Sequence, residues 1–395
     1  MNHPIRSVLI SGSPAGAKSR SSASLRCRVW SVAVCFGLAG CMPFRPGPTP
    51  PVHENVPAEY TLFEPVAPRP DAWWTVFESD DLNRLMEQAL NANLTIRESY
   101  ARLAQVRAVA EKAGVDLFPE LDGSAGASAS RQRIDLGGAT DGTETSKRYS
   151  LGLSMASYEI DLWGSIRSTR EAALRDTAAS VEDVRAAFLT ISAELATRWA
   201  ELMVQMETLH VLDRQLESNR QSLDLMETRF HFGRATVLDV YQQRQSVTEI
   251  EALIPSVAAR IGELRNEIAV LIGDPPGTDI GIDDSGLPDV PIVPDPGIPM
   301  DVLAQRPDVR KAGLALEAAE WRVSAARADR LPAIRLSASL TFSADAIDQV
   351  LTNWIGTLAA GLTGPIVDAG RRRVEVERTR AVVDERLVAY RRAAL

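Results

Sequence analysis

Residues 181–230 read VEDVRAAFLTISAELATRWAELMVQMETLHVLDRQLESNRQSLDLMETRF, with an apolar residue at every seventh position: Val181, Phe188, Leu195, Leu202, Leu209, Leu216, Leu223 and Phe230. Val184, Ile191, Trp199, Met206, Leu212 and Met226 fill the second seam position intermittently. An apolar heptad sustained this long gives a helix a left-handed supercoil. The spacing predicts one helix from about Ser165 to Phe230. At 1.5 Å rise per residue it extends roughly 100 Å, several times the width of a small domain. Such a helix must project from the rest of the chain.

Downstream, Phe232-Gly233-Arg234-Ala235-Thr236 interrupts the pattern. Glycine is suited to the left-handed conformation past a helix end, and threonine caps the next helix. Val240, Val247, Ile254, Ile261 and Ile268 then form one heptad series, and Ile250, Val257, Leu264 and Leu271 a second. The two helices therefore form an antiparallel coiled-coil hairpin. Pro255 should kink its returning arm. Gly273-Asp274-Pro275-Pro276-Gly277 ends that arm.

The sequence around the hairpin is duplicated. Ile96-Arg97, an Ala-rich helix and Leu117-Phe118-Pro119 match Val309-Arg310, a second Ala-rich helix and Arg330-Leu331-Pro332 at a shift of 213. Ile160-Asp161-Leu162-Trp163-Gly164 matches Ile366-Val367-Asp368-Ala369-Gly370 at a shift of 206, which leaves the second copy a shorter loop. Both copies alternate around that loop. Leu121 to Ala129 and Tyr149 to Met155 place apolar or small residues at odd positions, and Ile334, Leu336, Ala338, Leu340 and Phe342 repeat the pattern at even ones. Trp354, Leu358, Ala360 and Leu362 continue it. Period two means strand. Strands of about ten residues with one apolar and one small polar face suit a transmembrane barrel, and equally a half-buried antiparallel sheet. If they meet lipid, four strands cannot close a wall, because open edges in hydrocarbon leave backbone groups unpaired. Three chains would supply twelve strands and room for a conduit.

The first forty residues contain no acid, five basic side chains (Arg6, Lys18, Arg20, Arg26, Arg28) and an apolar run from Val29 to Ala39. That run is about half of what a bilayer-spanning helix needs and reads as a secretory signal. It ends in Leu38-Ala39-Gly40-Cys41, similar to the bacterial lipobox, which marks Cys41 as the candidate site of lipid attachment. Cys27 and Cys35 fall inside the signal, so one cysteine remains and no disulfide or thiolate metal site is available. Loss of the five cations takes the net charge from −9 to −9 − 5 = −14. That is opposite to a nucleic-acid-binding footprint.

The organisation expected from these readings is a signal at 1–40, a Pro-rich tether at 41–80 and a first repeat at 81–273. This repeat comprises a helix, a β-hairpin at 120–160 and the coiled-coil hairpin at 165–272. A linker at 274–300 leads to a second repeat at 301–395, with a helix at 301–328, a β-hairpin at 333–366 and the start of a helix at 370–395. No catalytic constellation is present in the sequence. His3 and His53 lie outside the body, and His210 and His231 lack metal-ligand spacing, so they read as surface helix residues. No phosphate-binding loop or nucleophile elbow occurs. An enzyme is not expected, nor a metal, nor any cofactor beyond the lipid on Cys41. A lipid-anchored periplasmic coiled-coil adaptor or scaffold without a pore is the alternative.

Strand hairpins and long heptad helices, in two copies behind a lipobox, resemble the TolC-like outer-membrane efflux family, in its NodT-type lipoprotein branch. The most specific stretches are Tyr158 to Gly164, Arg229 to Val240 and Gln305-Arg306-Pro307-Asp308-Val309-Arg310. The resemblance implies a mainly α fold with membrane β, a homotrimer, a shared outer-membrane β-barrel and a periplasmic α-barrel of coiled-coil helices. It also implies a periplasmic adaptor protein and an inner-membrane RND-type pump as partners, with the channel a passive conduit. Gly233, Arg234, Ala235, Thr236 and Asp239 would lie at the adaptor-facing tip, where turn and cap chemistry is their other role. The first repeat spends about 66 residues between its second strand and the tip, whereas about 25 follow Gly370, so a second coiled-coil hairpin is expected to be missing and the second repeat truncated.

Overall fold

A computed structural model describes residues 43–47, 72–134, 142–282, 286–287 and 299–395. Helices α1 (Asp80–Ala92) and α2 (Leu94–Val115) lead into strands β1 (Asp122–Ile134) and β2 (Gly142–Ile160). The long helix α3 (Ser165–His231) and its return α4 (Val237–Leu271) follow. Then come α5 (Pro299–Gln305), α6 (Pro307–Ala328), β3 (Ala333–Ala344), β4 (Trp354–Thr363) and α7 (Arg371–Ala394). The repeat is visible in the structure: Leu94 and Pro307, where α2 and α6 begin, and Val115 and Ala328, where they end, are each 213 residues apart.

The apolar core sits at the foot of the coiled-coil hairpin. Ser79 caps α1 by accepting the amide of Leu82, and Asp80 and Asp81 suit the positive end of its dipole. Leu82, Leu85, Met86 and Ala89 then occupy one helical face and are fully buried. They pack with Ile191, Leu195, Trp199 and Leu202 of α3 and with Leu264, Ile268 and Ile272 at the end of α4. Asn93 is both a stop and a start: its side-chain oxygen accepts the amides of Thr95 and Ile96, and its amide group donates to the Leu271 carbonyl at 2.8 Å. Towards the hairpin tip the same heptad positions are less covered. Leu216, Val240 and Val247 stay buried, but Leu209, Leu223 and Ile254 are half-buried and Phe230 is exposed, because two helices cover only one side of each other.

Three expected boundaries differ. The tether expected at 41–80 includes residues 73–77, which form a 3₁₀ turn inside the folded body. Trp73 donates its indole N–H to Ser192 and Phe77 lies edge-on to Trp199, so aromatic burial recruits the end of this Pro-rich stretch. The linker expected at 274–300 contributes Ile280 and Ile282 to the core, with Arg84 donating to the carbonyls of Ile280 and Gly281. The single helix expected at 301–328 is split at Arg306, whose extended backbone is what a following proline favours.

The four strands form one antiparallel sheet in the order β1-β2-β3-β4. The two hairpins are joined through β2 and β3, with Leu151 opposite Phe342 and Leu153 opposite Leu340. A bulge at Ala156-Ser157 lies between the pairs Met155–Ala338 and Tyr158–Leu336. It moves the apolar face of β2 from odd to even positions, so that Tyr158 and Ile160 stay in phase with Leu336 and Ile334.

Candidate functional site

Helix α3 ends at the expected turn in a Schellman arrangement. The Gly233 amide donates to the Phe230 carbonyl at 2.9 Å and the Arg234 amide to the Arg229 carbonyl at 2.8 Å. Gly233 adopts φ +66°, with nothing near its missing Cβ, so backbone conformation rather than crowding selects glycine. Helix α4 opens on a capping box. The Thr236 amide donates to Asp239 Oδ2 at 2.7 Å, and the Asp239 amide donates to Thr236 Oγ1 at 3.2 Å. The Thr236 backbone N–H, followed by its hydroxyl, holds the Asp239 carboxyl below its ordinary value. The five tip residues named from the sequence are thus brought together in one turn.

The tip also carries apolar surface that heptad reading missed. Phe232 is 75% exposed and Leu238 61%, with Val237 and Tyr241 also open. Arg244 stacks over the Tyr241 ring at 5.8 Å and pairs with Glu227 of α3 at 2.7 Å, which fixes the two arms against each other below the turn. The available signal was that Phe232, Leu238 and Tyr241 fall outside both seams, so neither helix can cover them.

The sheet presents two unlike faces. Register places Tyr149, Leu151, Leu153, Phe342, Leu340, Trp354, Leu358 and Leu362 on one of them. The other carries mainly Ser, Gly, Thr and Ala, with Ile355 towards the far end and with Arg335, which pairs with Glu159 at 3.0 Å. Every residue of β4 is exposed, and β1 and β4 are edge strands. Where strands pass into helices the two repeats use one device. Gly164 and Gly370 take φ of 79° and 83° just before α3 and α7. Asp161 accepts the amides of Ile166 and Arg167, and Asp368 accepts those of Gly370 and Arg372. Asp368 is held below the ordinary carboxylate value, chiefly by the Arg372 amide. Cys41 lies outside the described residues. Among the described residues no helix is long and apolar enough to cross a membrane, and no group of His, Cys, Asp or Glu could hold a metal.

A long helical hairpin beside an antiparallel sheet with one apolar face, the sheet built from two repeated strand hairpins, defines a channel-forming protein of the TolC-like class. Residues 85–274 and 298–395 match the outer membrane efflux protein family, and the chain belongs to it. It is 32% identical over 383 residues to the pyoverdine export outer membrane protein OpmQ of Pseudomonas aeruginosa, covering 92% of this chain and 78% of that one. The outer-membrane channel OprN superposes with a TM-score of 0.72 at 27% identity, over 85% of this chain and 79% of its own. The open-state MtrE outer membrane channel of Neisseria gonorrhoeae gives 0.69 at 26% identity, over 80% and 70%. The chain is therefore an outer-membrane efflux channel subunit, a transporter component of mainly helical fold with membrane β-strands.

Proposed function

We propose that three copies close a shared twelve-strand barrel through their β1 and β4 edges, and that the α3–α4 hairpins continue it into the periplasm as a passive conduit. The carrying observation is the sheet itself: one face is apolar from β2 to β4 between its helix end and its aromatics, and its two edges have no strand partner among the described residues. In hydrocarbon, unpaired edges cost several kcal/mol per group, about 3 or more, which closure with other copies removes. The tip, with Gly233, Arg234, Ala235, Thr236 and Asp239 shaping the turn and Phe232 and Leu238 exposed on it, then docks a periplasmic adaptor protein. Energy comes from an inner-membrane RND-type pump, since the channel needs none of its own.

Cys41 carries the lipid in this reading. Pro46 and Gly47 line a cleft of about 350 Å³ with Ser324, Arg327 and Arg380, at the end of α6 that leads into β3. Five residues extended reach at most about 17 Å, so a lipid on Cys41 enters the membrane at the foot of the barrel. Native mass spectrometry of protein extracted from outer membranes tests assembly and anchor together. Trimers with diacyl-sized mass on the Cys41 peptide, conducting ions in planar bilayers, are expected. A monomer that stays in water without detergent would end this reading.

A further inference from the structure

Resting on the barrel reading above, we propose that Arg131 and Lys147 bind the phosphate groups of the phosphorylated glycolipid that forms the outer leaflet of a bacterial outer membrane. On the apolar face of the sheet, Leu151 lies opposite Phe342, which in turn lies opposite Trp354, and Tyr149 is the next residue of that face along β2. These three aromatics sit at the end of the sheet away from the helices, where a barrel carries its outer aromatic girdle.

Hairpin β1–β2 continues past this girdle. On the same face the next positions are Lys147, opposite Ala129, and Arg131, opposite Thr145. They stand two and four residues beyond Tyr149, about 7 and 13 Å along the strand. With a strand tilt near 40°, that is about 5 and 10 Å further along the membrane normal, the depth of headgroups rather than acyl chains. Both side chains are exposed. Neither makes an ion pair or side-chain hydrogen bond with any described residue, and Glu144, the nearest carboxylate by register, stands opposite Gln132 on the other face of the hairpin. The opposite face at this level is different: Ser130 and Ser146 hydrogen-bond to each other at 2.7 Å, with Arg148 next along β2.

Two cations with no ion-pair partner among the described residues, directed at lipid one step past an aromatic belt, are matched by anionic headgroups. Guanidinium and ammonium donate charge-assisted hydrogen bonds to phosphate oxygens, and the guanidinium can do so bidentately. The outer leaflet supplies that phosphate, because the helices run to the periplasmic side and the hairpin ends to the other.

The test uses the full chain assembled in zwitterionic detergent, titrated with bisphosphorylated lipid A in mixed micelles and with the same lipid after both phosphates are removed. Bound lipid is counted by native mass spectrometry. Wild type and Arg148→Gln, on the opposite face, are expected to bind the phosphorylated form equally. Arg131→Gln with Lys147→Gln should weaken it by about tenfold or more. Lys147→Arg, which keeps the charge, should retain binding and serves where the double variant assembles poorly. Equal binding by the double variant, or equal binding of dephosphorylated lipid, overturns the proposal. Loss on Arg148→Gln alone would mean that the faces are reversed, which overturns the barrel reading too. A detergent-free monomer would end that reading before any lipid is added.

Discussion

Arg310 of α6 reaches Glu182 of α3 at 3.0 Å, and the Glu182 side chain is only 4% exposed. Arg185 contacts the same carboxylate oxygen at 2.7 Å, while the other oxygen has no hydrogen-bond partner among the described residues. The pair lies among cross-helix ion pairs of Arg175 with Glu317, Asp176 with Arg322 and Asp183 with Lys311. These set the register of the first repeat against the second. A buried carboxylate is costly unless paired, so removing a partner should matter more here than at a surface bridge.

Arg310→Gln is accordingly expected to destabilise the folded chain by about 1–3 kcal/mol, the range for a hydrogen bond to a buried charge. A double-mutant cycle with Glu182→Gln, read by denaturant melts in detergent, should give a coupling above about 0.5 kcal/mol. Strict additivity would show that the contact contributes nothing to holding the repeats together.

Leu358 and Thr357 are neighbours on β4 that face opposite sides of the sheet, and Leu358 is 80% exposed. Leu358→Arg should cost about 2–4 kcal/mol in the membrane, whereas Thr357→Arg should leave assembly intact and alter ion selectivity. Heat resistance of the oligomer on gels separates the two. If both substitutions have the same effect, the sheet has no lipid side.

At the tip, Thr236→Ala removes the side-chain half of the capping box and should cost the start of α4 about 1 kcal/mol. Faster amide exchange at Val240 and Tyr241, with no change at Leu264, would report it. The pH dependence follows from Asp239, whose carboxyl is held below its ordinary value of 3.8 by the Thr236 amide. Its contribution is complete above that value and is lost as pH falls through the lowered folded value. Wild type and Asp239→Asn should therefore differ at neutrality and converge in strong acid. A gap that persists there would assign the cap to something other than charge.

Phe232→Glu and Leu238→Glu replace exposed apolar surface with charge and leave the turn's hydrogen bonds in place. Site-specific crosslinking from position 234 to a periplasmic adaptor should fall at least about tenfold, as expected for loss of interface anchors. Trimer yield should be unchanged. Undiminished crosslinking would locate docking elsewhere on the hairpin.

The heptads from Val181 to Phe230 and from Val240 to Leu271 determined two long helices and the turn between them, because a seven-residue apolar period has few other solutions. Gly233, Thr236 and Asp239 were legible at that turn for the same local reason: their roles depend on neighbours within five residues. Alternation likewise fixed the strands and their two faces. Tertiary structure alone decided what depends on distant partners. The pairing of β2 with β3, the bulge that keeps Tyr158 in phase, and the packing of Trp73 and Ile280 at the hairpin foot join segments more than a hundred residues apart, and no local period encodes such meetings. The outward level of Lys147 and Arg131 belongs with them, since it is defined only once register sets both residues against the aromatics of the other hairpin.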